Sequence, residues 1–228
     1  MSKNRTINLQ LIEKVALGLG EINDEVVYVG GAIISLYITD EGAEPPRPTK
    51  DIDISVQIST YAQMDELRER LSLKKFYPAP TESVMYRYAY EGILVDFIPF
   101  EATPLGPTNS WLKPGFDHAY PIKIGQLEIN ILPVSLFLAT KWEAYKSRGS
   151  DPRTSHDFED IIYLIDNNLE ILENVLNAAE DVQRFLKEMS REILGHPSRN
   201  EIIECHLNPY TANERREMVV EKLKRVLE

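Results

Sequence analysis

Two aspartates one residue apart stand in the segment TKDIDISV, at 49–56, whose other residues are typical of a β-strand. Side chains of a strand alternate between its two faces, so Asp51 and Asp53 share one face while Ile52 and Ile54 share the other. Two carboxylates at neighbouring positions on one face repel each other unless water or a cation neutralises them. The pattern therefore predicts a cation site, and a metal ion is a candidate for it.

A third aspartate and a glycine pair add to the residues that could do chemistry. Asp96 lies in GILVDFIPF, at 92–100, which is otherwise typical of an apolar strand. Gly30 and Gly31 lie between VVYV, typical of a buried strand, and AIISLYI, which we expect to be a helix. A glycine turn that opens a helix presents free backbone N–H groups, which suit a phosphate. Taken alone, however, such a pair more often only lets the chain turn.

Three carboxylates beside a phosphate cradle indicate nucleotidyl transfer. Magnesium prefers oxygen ligands and joins carboxylates to substrate phosphates, and two such ions can activate a hydroxyl and stabilise a leaving pyrophosphate. We therefore expect Asp51, Asp53 and Asp96 to bind metal, with Asp96 also accepting the proton of the acceptor hydroxyl. A plainer interpretation stays open, in which Asp51 caps the strand and Asp53 is solvated on an edge. Asp96 would then pair with a basic residue such as Arg87.

The composition predicts a globular cytoplasmic protein. The chain has 228 residues, of which 43% are hydrophobic, enough to bury one large core or two small ones. Its polar N-terminus lacks the apolar region of a secretory signal, and Cys205, as the single cysteine, cannot form an internal disulfide. The longest apolar stretch, 26–38, is too short to span a bilayer. A net charge of −11 disfavours indiscriminate nucleic-acid binding but allows a local basic cleft.

Hydrophobic periodicity and turn residues predict the order of the elements. We expect helices at 7–20 and 61–76, a loop at 40–50, strands at 83–90 and 92–100 joined at Gly92, and a short strand around 121–130. Pro133 is a plausible start for the first of several helices. The change in composition near residue 131 predicts an N-terminal α/β half, residues 1–130, and a helical C-terminal half, residues 131–228.

Three segments together resemble the nucleotidyltransferase fold of the DNA polymerase β superfamily: VGGAIISLYI, RPTKDIDISV and ILVDFIPF. They supply the glycine pair, the Asp-x-Asp and the third Asp in that order. The lead-in RPTKDIDI is similar to that of one branch, the AbiEii/AbiGii-like abortive-infection nucleotidyltransferases. The later segments LPVSLFLATKWEAYKSRG and HDFEDIIYLI resemble that branch's helical lysine and its Asp-x-x-Asp helix. The resemblance extends over about 30–165 and does not include 170–228.

The resemblance implies a fold, a reaction and a set of site residues. The fold is α+β, a nucleotidyltransferase-type mixed sheet flanked by helices and followed by a helical C-terminal region. The reaction is Mg²⁺-dependent transfer of NMP from an NTP to RNA, notably tRNA, or to a protein, by a toxin that a cognate antitoxin holds in check. Asp157 joins the three aspartates as a catalytic residue. Asp160 lies three residues further on and shares the helical face of Asp157, and for it we expect a structural role. The implied nucleotide-binding residues are Gly30, Gly31, Arg47, Thr49, Lys141 and Arg148.

Other functions remain open at this stage. Antibiotic nucleotidylation uses the same fold, and a non-catalytic binding or antitoxin-like protein on a decayed fold is a third possibility, although an intact aspartate set argues against decay. Lys141, Tyr145 and Arg148 share one helical stripe, which could bind triphosphate or simply be a solvated face. An RNA acceptor requires basic residues gathered near the cleft, whereas a small cationic acceptor requires a compact, partly acidic pocket. The basic candidates are Lys141, Lys146, Arg148, Arg153, Arg68, Arg70, Lys74 and Lys75.

Overall fold

The computed structural model of the chain describes residues 3–79, 86–102 and 108–228. The chain packs as two units: the first comprises Met1–Ser35 and Glu44–Pro133, the second Leu36–Ala43 and Val134–Glu228. Both are defined by their internal packing, and the division into domains 1–130 and 131–228 stays a prediction. Within the described residues, no helix combines the length and apolar character needed to cross a membrane.

A mixed β-sheet lies at the centre of the first unit. Its strands are β1 Val26–Val29, β2 Asp51–Val56, β3 Tyr77–Pro78, β4 Arg87–Tyr90, β5 Ile93–Pro99, β6 Tyr120–Ile124 and β7 Leu127–Ile131. In the described part of the chain the sheet has seven strands in the order β3-β4-β5-β2-β1-β7-β6. β2 runs parallel to β5 and β1 parallel to β7, whereas the other neighbouring pairs are antiparallel. This mixed sheet, with helices around it, confirms the predicted α+β class.

Helices and two 3-10 turns accompany the sheet. They are α1 Lys3–Leu19, the 3-10 helices Gly20–Glu25 and Gly31–Tyr37, α2 Tyr61–Leu73 and α3 Leu112–Asp117. A capping box begins α2, since the Thr60 side chain accepts from the Gln63 backbone N–H and the Gln63 side chain accepts from the Thr60 backbone N–H.

The expected helix after the glycine pair is present as the 3-10 helix Gly31–Tyr37. Almost all its residues are buried, and with seven residues it is short, in keeping with the short pieces in which the 3-10 form is used.

Two hairpins show where the turn predictions succeed and fail. Glu91 and Gly92 both have positive φ, +46° and +82°, and they join β4 to β5 as predicted. The predicted single strand around 121–130 is wrong. Gly125, with φ +60°, reverses the chain there and divides the segment into β6 and β7. The sheet consequently gains an edge strand that the apolar pattern did not predict.

Tyr86, Tyr88 and Tyr90 alternate along the chain, and such a strand face could stack on a base but is more often part of the core. Tyr88 is buried and meets Phe97 edge to face, with ring centroids 5.4 Å apart. Tyr90 stacks on Phe76 at 4.3 Å between centroids. These contacts favour the packing role that an aromatic strand face usually has over base stacking.

The second unit is helical. Its helices are α4 Val134–Arg148, α5 His156–Asn167, α6 Ile171–Leu176, α7 Glu180–Gly195, α8 Arg199–Glu204 and α9 Ala212–Leu227. α4 begins directly after Pro133, as predicted, and packs against α5, α6 and α7. Its first nine residues are all buried, which fits a central helix of this unit.

The segment 36–43 belongs to the second unit although it precedes β2 in the chain. The Asn168 side chain donates to the Tyr37 carbonyl at 2.6 Å, and the Asp40 backbone N–H donates to the Asn167 carbonyl at 3.1 Å. Arg215 donates to Asp40 at 3.4 Å and to Asp166 at 2.7 Å. Buried polar groups need such partners, so these bonds hold the segment against α5 and α9.

Candidate active site

Strand register places the three predicted aspartates on one face of the sheet in the first unit. Asp53 lies opposite Asp96 in the parallel β2–β5 pair. Residues directly opposite each other in a sheet project to the same side, and so do residues two apart in one strand. Asp51 therefore shares the face of Asp53 and Asp96. Arg87 lies opposite Asp96 in the antiparallel β4–β5 pair and belongs to the same face.

The Arg87 guanidinium bridges two of these aspartates. Its Nε donates to Asp96 Oδ1 at 2.7 Å, and its Nη2 donates to Asp96 Oδ2 at 2.7 Å. The same Nη2 donates to Asp51 Oδ2 at 3.0 Å. A planar guanidinium matches a carboxylate in this two-pronged way better than an ammonium does. The Arg87–Asp96 pair that the plainer interpretation anticipates is thus present, and Asp51 shares it.

Gly30 directly follows β1 and lies against the carboxylate of Asp53. It has a φ of +72°, and a Cβ added to it would lie 1.9 Å from Asp53 Oδ2. Any other residue would therefore be strained in its backbone and would clash with the aspartate. The glycine lets the chain pass close to Asp53 before it enters the 3-10 helix Gly31–Tyr37. The structure thus brings together the glycine turn and all three sheet aspartates.

The donor set matches Mg²⁺ in kind, although its present arrangement does not form a cation cage. Mg²⁺ takes carboxylate oxygens and commonly uses one or two protein carboxylates together with substrate phosphates. Asp51, Asp53 and Asp96 supply such oxygens on one face. Within the described part of the chain, no three His, Cys, Asp or Glu side chains are grouped to hold a metal ion. Here Arg87 takes the cation's place between Asp51 and Asp96.

Asn8 fixes the segment that leads into β2, and sequence reasoning missed it. This residue of α1 is completely buried. Its side chain donates to the Arg47 carbonyl at 3.3 Å and accepts from the Thr49 backbone N–H at 3.4 Å. Arg47 and Thr49, both predicted to bind nucleotide, are therefore held four and two residues before Asp51, respectively. Asn8 lies on the same buried face of α1 as Ile12. A polar residue on an otherwise apolar helix face is the sequence feature from which its role could have been inferred.

The predicted residues of the second unit form a separate charged cluster. Lys141 Nζ lies 2.6 Å from Asp160 Oδ2 and 3.6 Å from Asp157 Oδ1. Arg148 also pairs with Asp157. The side chains of Lys141, Asp157 and Asp160 are only 8%, 7% and 3% exposed, so Lys141 is not part of a solvated face. The predicted roles of Lys141 and Arg148 in nucleotide binding, and of Asp157 in catalysis, stay predictions.

Most of the basic residues proposed for an RNA groove have acidic partners. In the first unit Arg68 pairs with Asp65, Arg70 with Glu25, and Lys74 with Glu21. The Arg70 guanidinium lowers the pKa of the Glu25 carboxyl by donating hydrogen bonds to it. In the second unit Lys146 pairs with Glu192 and Arg153 with Asp151 and Glu201. These pairs reduce the local excess of positive charge on which RNA binding depends.

Comparison with known proteins gives a family and several similar structures. The model of the family "Nucleotidyl transferase AbiEii toxin, Type IV TA system" matches residues 17–224. An antigenic nucleotidyltransferase-like protein from Paracoccidioides brasiliensis is 15% identical, with a TM-score of 0.50 over 86% of this chain and 92% of its own. No curated protein matches the sequence significantly.

Two further solved structures are similar at a lower level. The antibiotic-resistance factor ANT(2'')-Ia is 13% identical, with a TM-score of 0.48 over 83% of this chain and 95% of its own. JHP933 from Helicobacter pylori is 13% identical, with a TM-score of 0.46 over 100% of this chain and 93% of its own.

The family match extends over most of the chain, beyond the part on which the sequence resemblance rested. The Paracoccidioides structure shares the fold. The resemblance noted from the glycine pair and the aspartates is confirmed, and so is the expectation of a nucleotidyltransferase enzyme. The chain belongs to the AbiEii nucleotidyl transferase toxin family of type IV toxin–antitoxin systems.

Proposed function

We propose that this nucleotidyltransferase transfers NMP from an NTP to an acceptor hydroxyl in a Mg²⁺-dependent reaction centred on the first unit. One observation carries the proposal: Asp51, Asp53 and Asp96 share a sheet face, and Gly30 packs against Asp53. Arg87 supplies one positive charge against three carboxylates, so the arrangement is one that a metal-binding function explains.

The three aspartates would hold Mg²⁺, which when bound would shield the triphosphate charge and favour ionisation of the acceptor hydroxyl. Asp96 accepts the proton of that hydroxyl. The oxygen of the acceptor hydroxyl then forms a bond to the α-phosphorus. The bond from the α-phosphorus to the oxygen that bridges it to the β-phosphorus breaks, and pyrophosphate leaves. The backbone at Gly30 and Gly31 lies at the end of β1, beside Asp53, where phosphate oxygens could accept its N–H groups.

We assign supporting roles to the other predicted residues. Arg47 and Thr49 lie in the segment that precedes β2 and that Asn8 holds, and we assign them contacts with the nucleotide. For Lys141 and Arg148 we keep the role in nucleotide binding that the resemblance implies, and for Asp157, which pairs with both cations, the role in catalysis. Family membership supports these assignments, together with an NTP donor and a cognate antitoxin.

RNA, notably tRNA, is the first acceptor to test, with a protein acceptor second. The helical unit offers basic residues such as Lys146 and Arg153, which could contact RNA phosphates. Binding of RNA through them would require their present acidic partners to release them, and it would weaken steeply with added salt.

A small cationic acceptor of the aminoglycoside type is the alternative. The same ion pairs favour it, because the chain has a net charge of −11 and most of its candidate RNA-binding residues are paired with acids, so it attracts cations more readily than polyanions. Such an acceptor needs no basic groove.

Label transfer tests the proposal. The purified chain is incubated with each α-labelled NTP, Mg²⁺, and either total RNA, lysate protein or an aminoglycoside. We expect one acceptor to gain label, and neither EDTA-treated protein nor Asp53→Asn to label it. Asp65→Asn, an exposed aspartate of α2, serves as the matched control and should label normally. Failure to label any acceptor with any NTP would overturn the proposal, and the labelled fraction decides between the acceptors.

A further inference from the structure

We propose that Arg87 is the resident counter-cation of the aspartate face: it holds Asp51 and Asp96 in the nucleotide-free protein and must release them for a metal ion to bind. This inference rests on the proposed function, because it concerns the same carboxylates. It gives Arg87 a role that neither the motif nor the family match assigns. Arg87 is a positioning residue in this account, since it acts through the aspartates.

The hydrogen bonds show what Arg87 occupies. Both oxygens of Asp96 accept from the guanidinium, each at 2.7 Å, and one oxygen of Asp51 accepts at 3.0 Å. A carboxylate oxygen that accepts a short charged hydrogen bond has less electron density and less space to offer a cation. A metal ion at Asp51 and Asp96 therefore competes with the guanidinium for the same oxygens.

Burial makes this competition strong enough to matter without making it irreversible. The side chains of Arg87, Asp51 and Asp96 are 18%, 35% and 15% exposed. Charged hydrogen bonds at such partly buried sites are stronger than exposed surface ion pairs. Solvent still reaches the cluster through Asp51, so exchange of one cation for another does not require the sheet to open.

A bound nucleotide would offer the Arg87 guanidinium an alternative hydrogen-bond acceptor. A triphosphate offers oxygens that a guanidinium fork recognises as well as it recognises a carboxylate. When the nucleotide is present, Arg87 can exchange its aspartates for phosphate oxygens, and the freed carboxylates become available. Metal and nucleotide binding are then coupled: each is weak alone, and each strengthens the other by the same factor.

The test compares metal binding by three variants and needs no turnover. Mn²⁺ serves as the probe, because its binding is measured directly by electron paramagnetic resonance of the free ion. Arg87→Met removes the guanidinium and its charge while keeping an unbranched apolar stem, and Arg87→Lys keeps the charge but not the planar fork. Arg191→Met, an exposed arginine of α7, is the matched control. Each protein is titrated with and without an α,β-methylene NTP.

Without nucleotide, we expect Arg87→Met to bind Mn²⁺ about tenfold more tightly than wild type, as loss of a charged hydrogen bond of ordinary strength predicts. Arg87→Lys should lie between the two, and Arg191→Met should match wild type. The analogue should tighten Mn²⁺ binding in wild type and much less in Arg87→Met. In metal-free buffer, Arg87→Met should also melt at a lower temperature, which Mn²⁺ restores.

The outcomes separate this inference from the proposed function. If wild type binds Mn²⁺ and both Arg87 variants bind it no more tightly, Arg87 does not compete with the metal ion for the aspartates. The inference is then overturned, while the proposed metal-binding function stands. If no protein binds Mn²⁺ with or without the analogue, the metal-binding function and the inference fall together. If Arg87→Met does not fold, Arg87→Lys decides: tighter Mn²⁺ binding supports the inference, and unchanged or weaker binding overturns it.

Discussion

Two clusters in this chain place a basic side chain between two aspartates, and they differ in burial. On the sheet of the first unit, Arg87 contacts Asp51 and Asp96, and one member, Asp51, is 35% exposed. Among the helices of the second unit, Lys141 contacts Asp157 and Asp160, and none of the three exceeds 8% exposure. Solvent access is required for a cation to be exchanged, so Arg87 is better placed than the buried Lys141 to be replaced by a metal ion.

The same difference predicts what each cluster contributes to stability. Removing one partner of a buried ion pair leaves the other charge without compensation, at a cost of about 3–5 kcal/mol. At the sheet, water and dissolved cations can compensate for part of that loss. The helical cluster should therefore contribute more to the free energy of unfolding than the sheet cluster does.

The largest expected loss of stability comes from Lys141→Met. It leaves Asp157 and Asp160 buried beside each other without their ammonium, and we expect the free energy of unfolding to fall by about 3–5 kcal/mol. Denaturant titration followed by circular dichroism measures this. Lys146→Met, which breaks an ion pair between half-exposed side chains, is the control and should cost less than about 1 kcal/mol. Equal effects of the two substitutions would contradict the comparison.

A slightly smaller loss is expected for Gly30→Ala. The added methyl would meet Asp53 Oδ2, and alanine is strained at a φ of +72°. We expect a loss of about 1–3 kcal/mol and a larger loss of NTP binding, because relief of the clash moves Asp53. Gly92→Ala also has a positive φ but meets no atom within 4 Å, so it isolates the backbone strain. If both variants bind NTP equally well, the contact between Gly30 and Asp53 has no functional importance.

Asn8→Ala should have a moderate effect. It removes two hydrogen bonds and leaves the Arg47 carbonyl and Thr49 N–H without that partner, for a cost of about 1–3 kcal/mol. Hydrogen exchange should show the segment 47–49 opening more often than in wild type. Unchanged exchange at Thr49 would show that Asn8 does not hold the lead-in to β2.

The smallest effect is expected for Arg68→Ala. Arg68 and Asp65 form an exposed pair three residues apart on α2, worth less than about 1 kcal/mol. Stability should be nearly unchanged. If RNA is the acceptor and α2 contributes to its binding, the salt dependence of RNA binding should become less steep. A large loss of stability here would show that exposure does not separate the clusters of this chain.

The sequence predicts those parts of the site that depend on local periodicity. Alternation in β2 puts Asp51 and Asp53 on one face, and Gly92 and Pro133 mark element ends that the structure confirms. The full cluster of Arg87, Asp51 and Asp96 is harder to predict from the sequence, because its geometry depends on how strands that are distant in the chain pair. Asp96 could be recognised as an aspartate in an apolar strand, but its position opposite both Asp53 and Arg87 follows from the β2–β5 and β4–β5 registers.

Other features were missed for the same reason. Asn8 acts on residues about forty positions away, and nothing in the periodicity of α1 identifies its partners. Gly125 was overlooked because the apolar residues on both sides of it suggest one continuous strand. In the buried cluster, Lys141 and Asp157 were identified by resemblance, whereas the pairing of Asp160 with Lys141 depends on how α4 packs against α5.

The central claim is that metal binds at the partly exposed aspartate face of the first unit and that nucleotide binding depends on that metal. Calorimetric titration of wild type and Asp53→Asn with an α,β-methylene NTP, in Mg²⁺ and in EDTA, tests it most directly. Wild type should bind the analogue in Mg²⁺ and weakly or not at all in EDTA. Asp53→Asn should fold at least as stably as wild type, because like-charge repulsion falls, yet lose the Mg²⁺-dependent binding. Wild-type affinity in Asp53→Asn would contradict the account.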